Sequence, residues 1–169
     1  MTTQLNDDDE IISNYGACPR QLEDAISGLS ETDFNLKERA DSWTIRQIIH
    51  HIVDGDDAWK LFIKQAIGHP NSEFFLDWYW QVPQDQLVER WNYQSRPIEP
   101  SLALFQANRA HIVQLLHHTA DGMKKQLLVR WPTEIGEQMM EVRWILKGQT
   151  QHVLEHIAEI SRIREAHNV

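Results

Sequence analysis

The sequence lacks several features that mark particular classes of protein. It has one cysteine, Cys18, so no disulfide can form within the chain. No run of basic residues occurs and the formal net charge is −9, which argues against a groove for nucleic acid. No apolar run approaches the length of a membrane span, and residues 1–10 are acidic, unlike a signal peptide. These absences predict a cytoplasmic protein with neither a nucleic-acid nor a membrane partner.

The composition that remains is that of an ordinary globular domain. The chain has 169 residues, of which 41% are hydrophobic and 24% are charged, and this length allows one domain with a real core. No internal repeat, low-complexity tract or linker divides it. We therefore expect a single domain over residues 1–169, with residues 1–10 flexible. Seven tryptophans are many for this length, and some of them are expected to line a pocket.

Four stretches have the apolar period of amphipathic helices. The first runs from about Asp8 to Ser27 and stops at Gly28, a residue suited to the end of a helix. The second begins at a Thr-x-x-Gln capping box, Thr44 to Gln47, and runs to about residues 68–70. The third opens after Pro100, with Ser101 as its N-cap, and the fourth spans about residues 141–167.

The connections between these stretches differ in kind. Residues 71–99 form a long segment with two prolines and an aromatic cluster, and a short helix is expected from Gln84 to Trp91. Residues 127–131 and 137–140 are expected to pair as a small two-stranded excursion. Together these features predict an all-α fold, an up-and-down four-helix bundle with a long crossover connection.

Three histidines are the best candidates for a metal site. His152 and His156 are four residues apart, so their imidazoles lie on one face of the fourth helix. At about 100° per residue, His156 falls roughly 40° and His152 roughly 80° from the centre of the apolar stripe, and His51 lies at the margin of the stripe on the second helix. His50 points away from that stripe and is expected to be solvated. Three imidazoles suit Zn²⁺ or Ni²⁺ and leave open positions for water or substrate.

Two segments that contain these histidines resemble the DinB-like superfamily, in particular its YfiT-like branch of metal-dependent hydrolases. They are Ser42-Trp43-Thr-Ile-Arg-Gln-Ile-Ile-His-His51-Ile-Val-Asp54 and Gln151-His152-Val-Leu-Glu-His156-Ile157. Ser101-Leu-Ala-Leu104 and Gly136-Glu137 add supporting matches, and the likeness covers roughly residues 15 to 165. The resemblance implies a four-helix bundle whose metal is held by His51, His152 and His156.

The resemblance leaves the reaction open. Some members are similar to transferases in which a metal-bound low-molecular-weight thiol attacks an electrophile, and others are described as hydrolases. The first hypothesis is therefore a metal-dependent enzyme that acts on a small electrophilic molecule by thiol transfer. The alternatives are a hydrolase that uses a metal-bound hydroxide, and a non-catalytic metal-binding stress or interaction protein, with a homodimer as a further possibility.

Four other residues are candidates for roles at the site. Arg109 lies near the apolar stripe of the third helix, where it could anchor an anionic group of a thiol cofactor or simply reach past the bundle margin to water. Asp56 could orient a ligand histidine, act as a base, or be a polar residue facing a loop. Trp78 and Trp80, in the long crossover, are expected to line the pocket that the open coordination position of the metal faces. Cys18 is better explained as a small buried hydrophobe than as a nucleophile.

Overall fold

Four long helices dominate the computed structural model, which describes residues 7–132 and 136–169. They are α1 (Asp7–Ile26), α2 (Ile45–Gly68), α5 (Glu99–His117) and α6 (Val142–His167). Between α2 and α5 lie strand β1 (Glu73–Phe74) and the short helices α3 (Asp77–Gln81) and α4 (Gln84–Arg90). Strands β2 (Gln126–Arg130) and β3 (Glu137–Glu141) precede α6, and 3₁₀ turns cover Asp33–Asn35 and Gly122–Lys124. The predicted all-α four-helix bundle with its long crossover is confirmed.

The ends of the helices follow from local hydrogen bonding. The capping box at α2 is present, because the Thr44 side chain accepts from the Gln47 N–H and the Gln47 side chain accepts from the Thr44 N–H. Gly28, just after α1, takes the left-handed conformation with φ at 83°. The start predicted for the third helix is wrong, since α5 begins at Glu99 and Ser101 lies inside it. Pro100 fits the first turn of that helix, where its missing N–H costs no hydrogen bond.

The order of the helices around the bundle is α1, α6, α2, α5. Each of these helices packs against the next, and α5 closes the ring on α1. The buried apolar side chains form two clusters, and the members of each cluster show that α2 and α5 run in the same direction, as do α1 and α6. The long crossover makes the parallel pair α2 and α5 possible, because it returns the chain to the end of the bundle where α2 began.

A small sheet lies beside one end of the bundle. The expected pairing is confirmed: β2 and β3 are antiparallel, with Leu128 opposite Met139. β1, which was not predicted, adds to β2 in parallel, with Glu73 opposite Leu128. Part of the predicted flexible terminus, residues 1–6, lies outside the described residues, whereas Asp7 to Glu10 form the first turn of α1. Across the described ranges, no helix is long and apolar enough to cross a membrane.

Candidate metal centre

Three imidazoles converge between α2 and α6. His51 comes from α2, His152 and His156 come from α6, and one ring nitrogen of each lies within 4.8 Å of the others. The Nε2 atoms of His51 and His152 are 3.1 Å apart. The Nδ1 atom of His152 is buried and has no hydrogen-bond partner among the described residues. Three ring nitrogens at this separation fit a divalent metal ion. The buried His152 nitrogen without a hydrogen-bond partner is a second sign that the described residues do not complete this site.

A carboxylate holds one of these rings in place. The Nδ1 atom of His156 lies 3.0 Å from Oε2 of Glu159 on the same helix. When Nδ1–H donates to the carboxylate, the Nε2 lone pair remains free for a metal, which is the common outer arrangement of metal-binding histidines. The sequence analysis missed Glu159, although its spacing of three residues from His156 places it on the same helix face.

Trp43 packs against two of the imidazoles. Its ring centroid is 4.8 Å from that of His51, and it stacks on His156 with an interplanar angle of 17°. Its indole N–H donates to Oδ1 of Asp85 at 2.8 Å, which ties the start of α4 to the cluster. The indole therefore limits the movement of two imidazoles at once.

The surroundings of His51 and His152 keep these two rings neutral. Burial, and then the neighbouring imidazoles His152 and His156, lower the pKa of His51 to about 3. Burial, and then His156, lower the pKa of His152 to about 4. At neutral pH both rings therefore carry the free lone pair that a metal requires.

His50 is not solvated as predicted but fully buried. Its Nε2 atom is 3.2 Å from the carbonyl oxygen of Arg96, and its Nδ1 atom is 2.9 Å from the hydroxyl of Ser101. Because the carbonyl can only accept, Nε2 carries the proton and the Ser101 hydroxyl donates to Nδ1. The prediction failed because α2 is enclosed on two sides: α6 covers the face of His51, while α5 and the crossover cover the face of His50.

Asp56 and Arg109 form a buried ion pair with each other. Nε of Arg109 is 2.8 Å from Oδ1 of Asp56, and both side chains are 1% exposed. The guanidinium lies 3.7 Å from the ring centroid of Tyr15 and donates to the Tyr15 carbonyl oxygen at 3.0 Å. Asp56 follows His51 by five residues, which turns it about 140° around α2. This corrects the placement expected for both residues, since neither lines the cavity beside His51.

The buried surroundings of this pair shift the pKa values of Asp56 and of the neighbouring Tyr15. Burial raises the pKa of Asp56 to about 6, and Arg109 opposes that shift. Burial, followed by the charge of Asp56, raises the pKa of the Tyr15 hydroxyl. The charge on Arg109 is thus already balanced inside the protein and is not free to anchor an anionic cofactor.

A cavity of about 340 Å³ opens beside His51 and His152. The crossover contributes Tyr79 and Gln84 to its wall, and the rest of the lining comes from α2, the sheet region and α6, namely Gly55, Trp59, Trp131, Met140, Trp144, Ile145, Gly148 and Gln149. Sequence reasoning missed most of these residues, although Gly55, Trp59, Trp144 and Gly148 lie at four-residue steps from His51 or His152.

The two tryptophans predicted for this wall lie elsewhere. Trp78 is 55% exposed and lines a second cavity on the other side of Tyr79. Trp80 packs against Trp59 and Trp131, with its ring centroid 5.1 Å from that of Trp131. In a five-residue helix each residue turns by about 100°, so the side chain between them, Tyr79, is the one that faces the cavity.

Fold and site together define a class, the four-helix-bundle proteins in which three histidines from two helices converge beside a cavity. The chain belongs to the DinB superfamily, whose family model matches residues 15–160. A protein from Geobacillus thermodenitrificans (strain NG80-2), named "Putative metal-dependent hydrolase", is 26% identical over 160 residues, which cover 92% of this chain and 83% of that protein. A relative of the same description from Geobacillus kaustophilus (strain HTA426) is 27% identical over 158 residues, with the same coverage.

Two solved structures share the fold. YfiT from Bacillus subtilis, described as a probable metal-dependent hydrolase with an unusual four-helix bundle topology, matches with a TM-score of 0.81 at 18% identity. The match covers 99% of this chain and 93% of that chain. A mycothiol-dependent maleylpyruvate isomerase matches with a TM-score of 0.65 at 14% identity, over 89% of this chain and 59% of that one.

Proposed function

We propose that this chain is a metal-dependent enzyme that acts on a small electrophilic molecule by thiol transfer. The observation that carries the proposal is the position of the three imidazoles, which converge at the edge of a cavity of about 340 Å³. A structural zinc site is normally closed by four protein ligands. Within the described ranges the donor group consists of three histidines, which leaves room for an exogenous ligand.

The donor set suggests zinc or nickel as the metal. A divalent ion held by His51, His152 and His156 would act as a Lewis acid that favours the ionised form of a bound thiol or water molecule. The protein's own part is to bring the three imidazoles together, to fix His156 through Glu159, and to restrict ring movement through Trp43.

Thiol transfer is preferred because a structural neighbour, the maleylpyruvate isomerase, is described as mycothiol-dependent. In such a transfer the thiol sulfur forms a bond to an electrophilic carbon, the bond from that carbon to its leaving group breaks and the leaving group departs with the electron pair, and the thiol proton passes to solvent. Hydrolysis is the second candidate, because the relatives from Geobacillus are named as metal-dependent hydrolases. Both reactions need the same three histidines, so the metal is tested first.

Metal binding is tested on protein purified without a polyhistidine tag. We expect about one divalent ion per chain by elemental analysis, and we expect the His152→Ala variant to lose most of it. The matched control is His111→Ala, which removes an exposed imidazole from α5 and should keep the metal content unchanged. Equal metal content in both variants would remove the basis of the proposal.

The reaction is then tested on metal-loaded protein. A chlorinated nitroaromatic electrophile should be consumed when a low-molecular-weight thiol is present, and chelation of the metal should abolish the consumption. Cleavage of simple esters without any thiol would instead favour hydrolysis. Full metal content with neither reaction would favour a non-catalytic metal-binding protein.

A further inference from the structure

The cavity beside the histidines carries the same spacing on two of its walls. On α2, His51 is followed at four-residue steps by Gly55 and Trp59, and on α6, His152 is preceded at four-residue steps by Gly148 and Trp144. All six residues line the cavity. Because residues four apart are neighbours on a helix surface, each set forms one row. The two helices are antiparallel, so both rows lead away from the metal centre in the same direction.

Packing does not require glycine at the middle position of either row, because a larger side chain would fit there. A side chain at Gly148 would meet no atom within 4 Å, and one at Gly55 would meet only the Tyr79 hydroxyl, at 3.5 Å. By contrast, a side chain at Gly16 in α1 would come within 3.1 Å of Val113. Glycine inside a helix lowers its stability relative to alanine. At Gly55 and Gly148 the missing side chains keep the cavity open next to the ligand histidines.

The cavity wall is aromatic and carries no charge among the residues described. Trp59, Trp131 and Trp144 supply flat apolar surface. Besides the histidines, Tyr79 and the indole N–H groups, the polar members are Gln84 and Gln149, whose carboxamides have no hydrogen bond to the described residues. None of the described side chains that line this space offers an ion an opposite charge, so an ion that enters it loses hydration, and for a cation the indole faces replace only part of that loss.

We infer that this cavity binds an uncharged molecule with an aromatic or similarly flat apolar part. That part lies between the tryptophans of the two rows, above the glycines, while Gln84 and Gln149 are the available partners for a carbonyl or amide group. The volume and the mixture of apolar wall with few polar groups are typical of small-molecule sites. This substrate class rests on the proposed function for its chemistry, whereas binding itself needs only the cavity.

The charge preference is tested by calorimetry on the chelator-treated protein, in which no metal ion is available to bind the anion, with three probes of one shape. The probes are naphthalene-2-carboxamide, which is neutral, naphthalene-2-sulfonate, which is an anion, and 2-naphthyltrimethylammonium, which is a cation. We expect the neutral probe to bind at least tenfold more tightly than either ion. Equal or tighter binding of an ion would overturn the inference.

The location is tested by filling the cavity. Gly148→Leu places a side chain in open space and should weaken binding of the neutral probe by tenfold or more. Gly68→Leu is the matched control, because Gly68 also lies in a helix with nothing within 4 Å of its Cβ position but does not line the cavity. Trp144→Ala, at a position that is 56% exposed, gives a second variant and should weaken binding several-fold.

Metal content measured on the same proteins before chelation separates this inference from the proposed function. If His152→Ala loses the metal but still binds the neutral probe, the cavity assignment holds. If the wild-type protein binds metal and no naphthalene probe, the substrate class is wrong and the metal site stands. Unchanged probe affinity in both Gly148→Leu and Trp144→Ala would also overturn the inference.

Discussion

At the scale of single residues, Glu159 is the side chain whose removal gives the clearest result. It accepts from Nδ1 of His156 and so fixes which nitrogen faces the other imidazoles. Outer partners of this kind change metal affinity about 10–100-fold when mutated. We expect Glu159→Ala to weaken zinc binding by that factor in a competition titration with a chelating dye. Glu165→Ala, an exposed carboxylate on the same helix, should have no effect, and equal losses in both variants would contradict this role.

Ser101 has a different role, because it forms a hydrogen bond with a buried histidine outside the metal cluster, His50. Its hydroxyl donates to Nδ1 of His50, which is fully buried. Ser101→Ala would leave that nitrogen without a partner, at a cost of about 1–3 kcal/mol. The free energy of unfolding measured in urea should fall by this amount while the metal content stays the same. Ser161→Ala, at an exposed position of α6, is the control and should change the stability little.

At the scale of the helix, α6 carries a glycine that lowers its own stability. Because nothing occupies the space around the Cβ position of Gly148, Gly148→Ala should raise the free energy of unfolding by up to about 1 kcal/mol. Gly16→Ala should give no such gain, since its new methyl group would come within 3.1 Å of Val113. A loss of stability in Gly148→Ala, seen as a lower melting temperature, would show that the glycine has a packing role.

The elements that could be predicted from sequence were those with a long or explicit signal. The capping box at Thr44 defined the start of α2, and the helical period together with the family resemblance selected His51, His152 and His156, which the structure brings together. β1 has only two residues, too few to show an alternation. The environments of His50 and Trp78 depend on the crossover, whose path across α2 no local pattern specifies. The angular position of a residue around one helix does not show how many other elements pack against that helix.

At the scale of the whole molecule, the buried histidines make stability depend on pH. Burial lowers the pKa of His50, and the pKa values of His51 and His152 fall to about 3 and about 4. Below about pH 6.5 these histidines bind protons in the unfolded chain but stay unprotonated in the folded chain. The free energy of unfolding therefore falls as the pH drops toward 4. Asp56, with its pKa raised to about 6, acts in the opposite direction but is a single group.

Urea denaturation of the chelator-treated protein at pH 7.5, 6 and 5 measures this dependence. The midpoint should fall at each step. A midpoint that stays constant or rises toward pH 5 would mean that the buried rings are already protonated in the folded state.

The circular order of the helices also bears on how the chain assembles as it is synthesised. α1 is the first long helix to be made, yet its partners in the bundle are α5 and α6, and it does not pack extensively against α2, the next one made. A nascent chain that ends before residue 142 lacks α6. It therefore lacks one of the two helices against which α1 packs, and two of the three histidines. Domains generally fold as units during synthesis, so part of the apolar face of α1 stays uncovered until α6 has been synthesised.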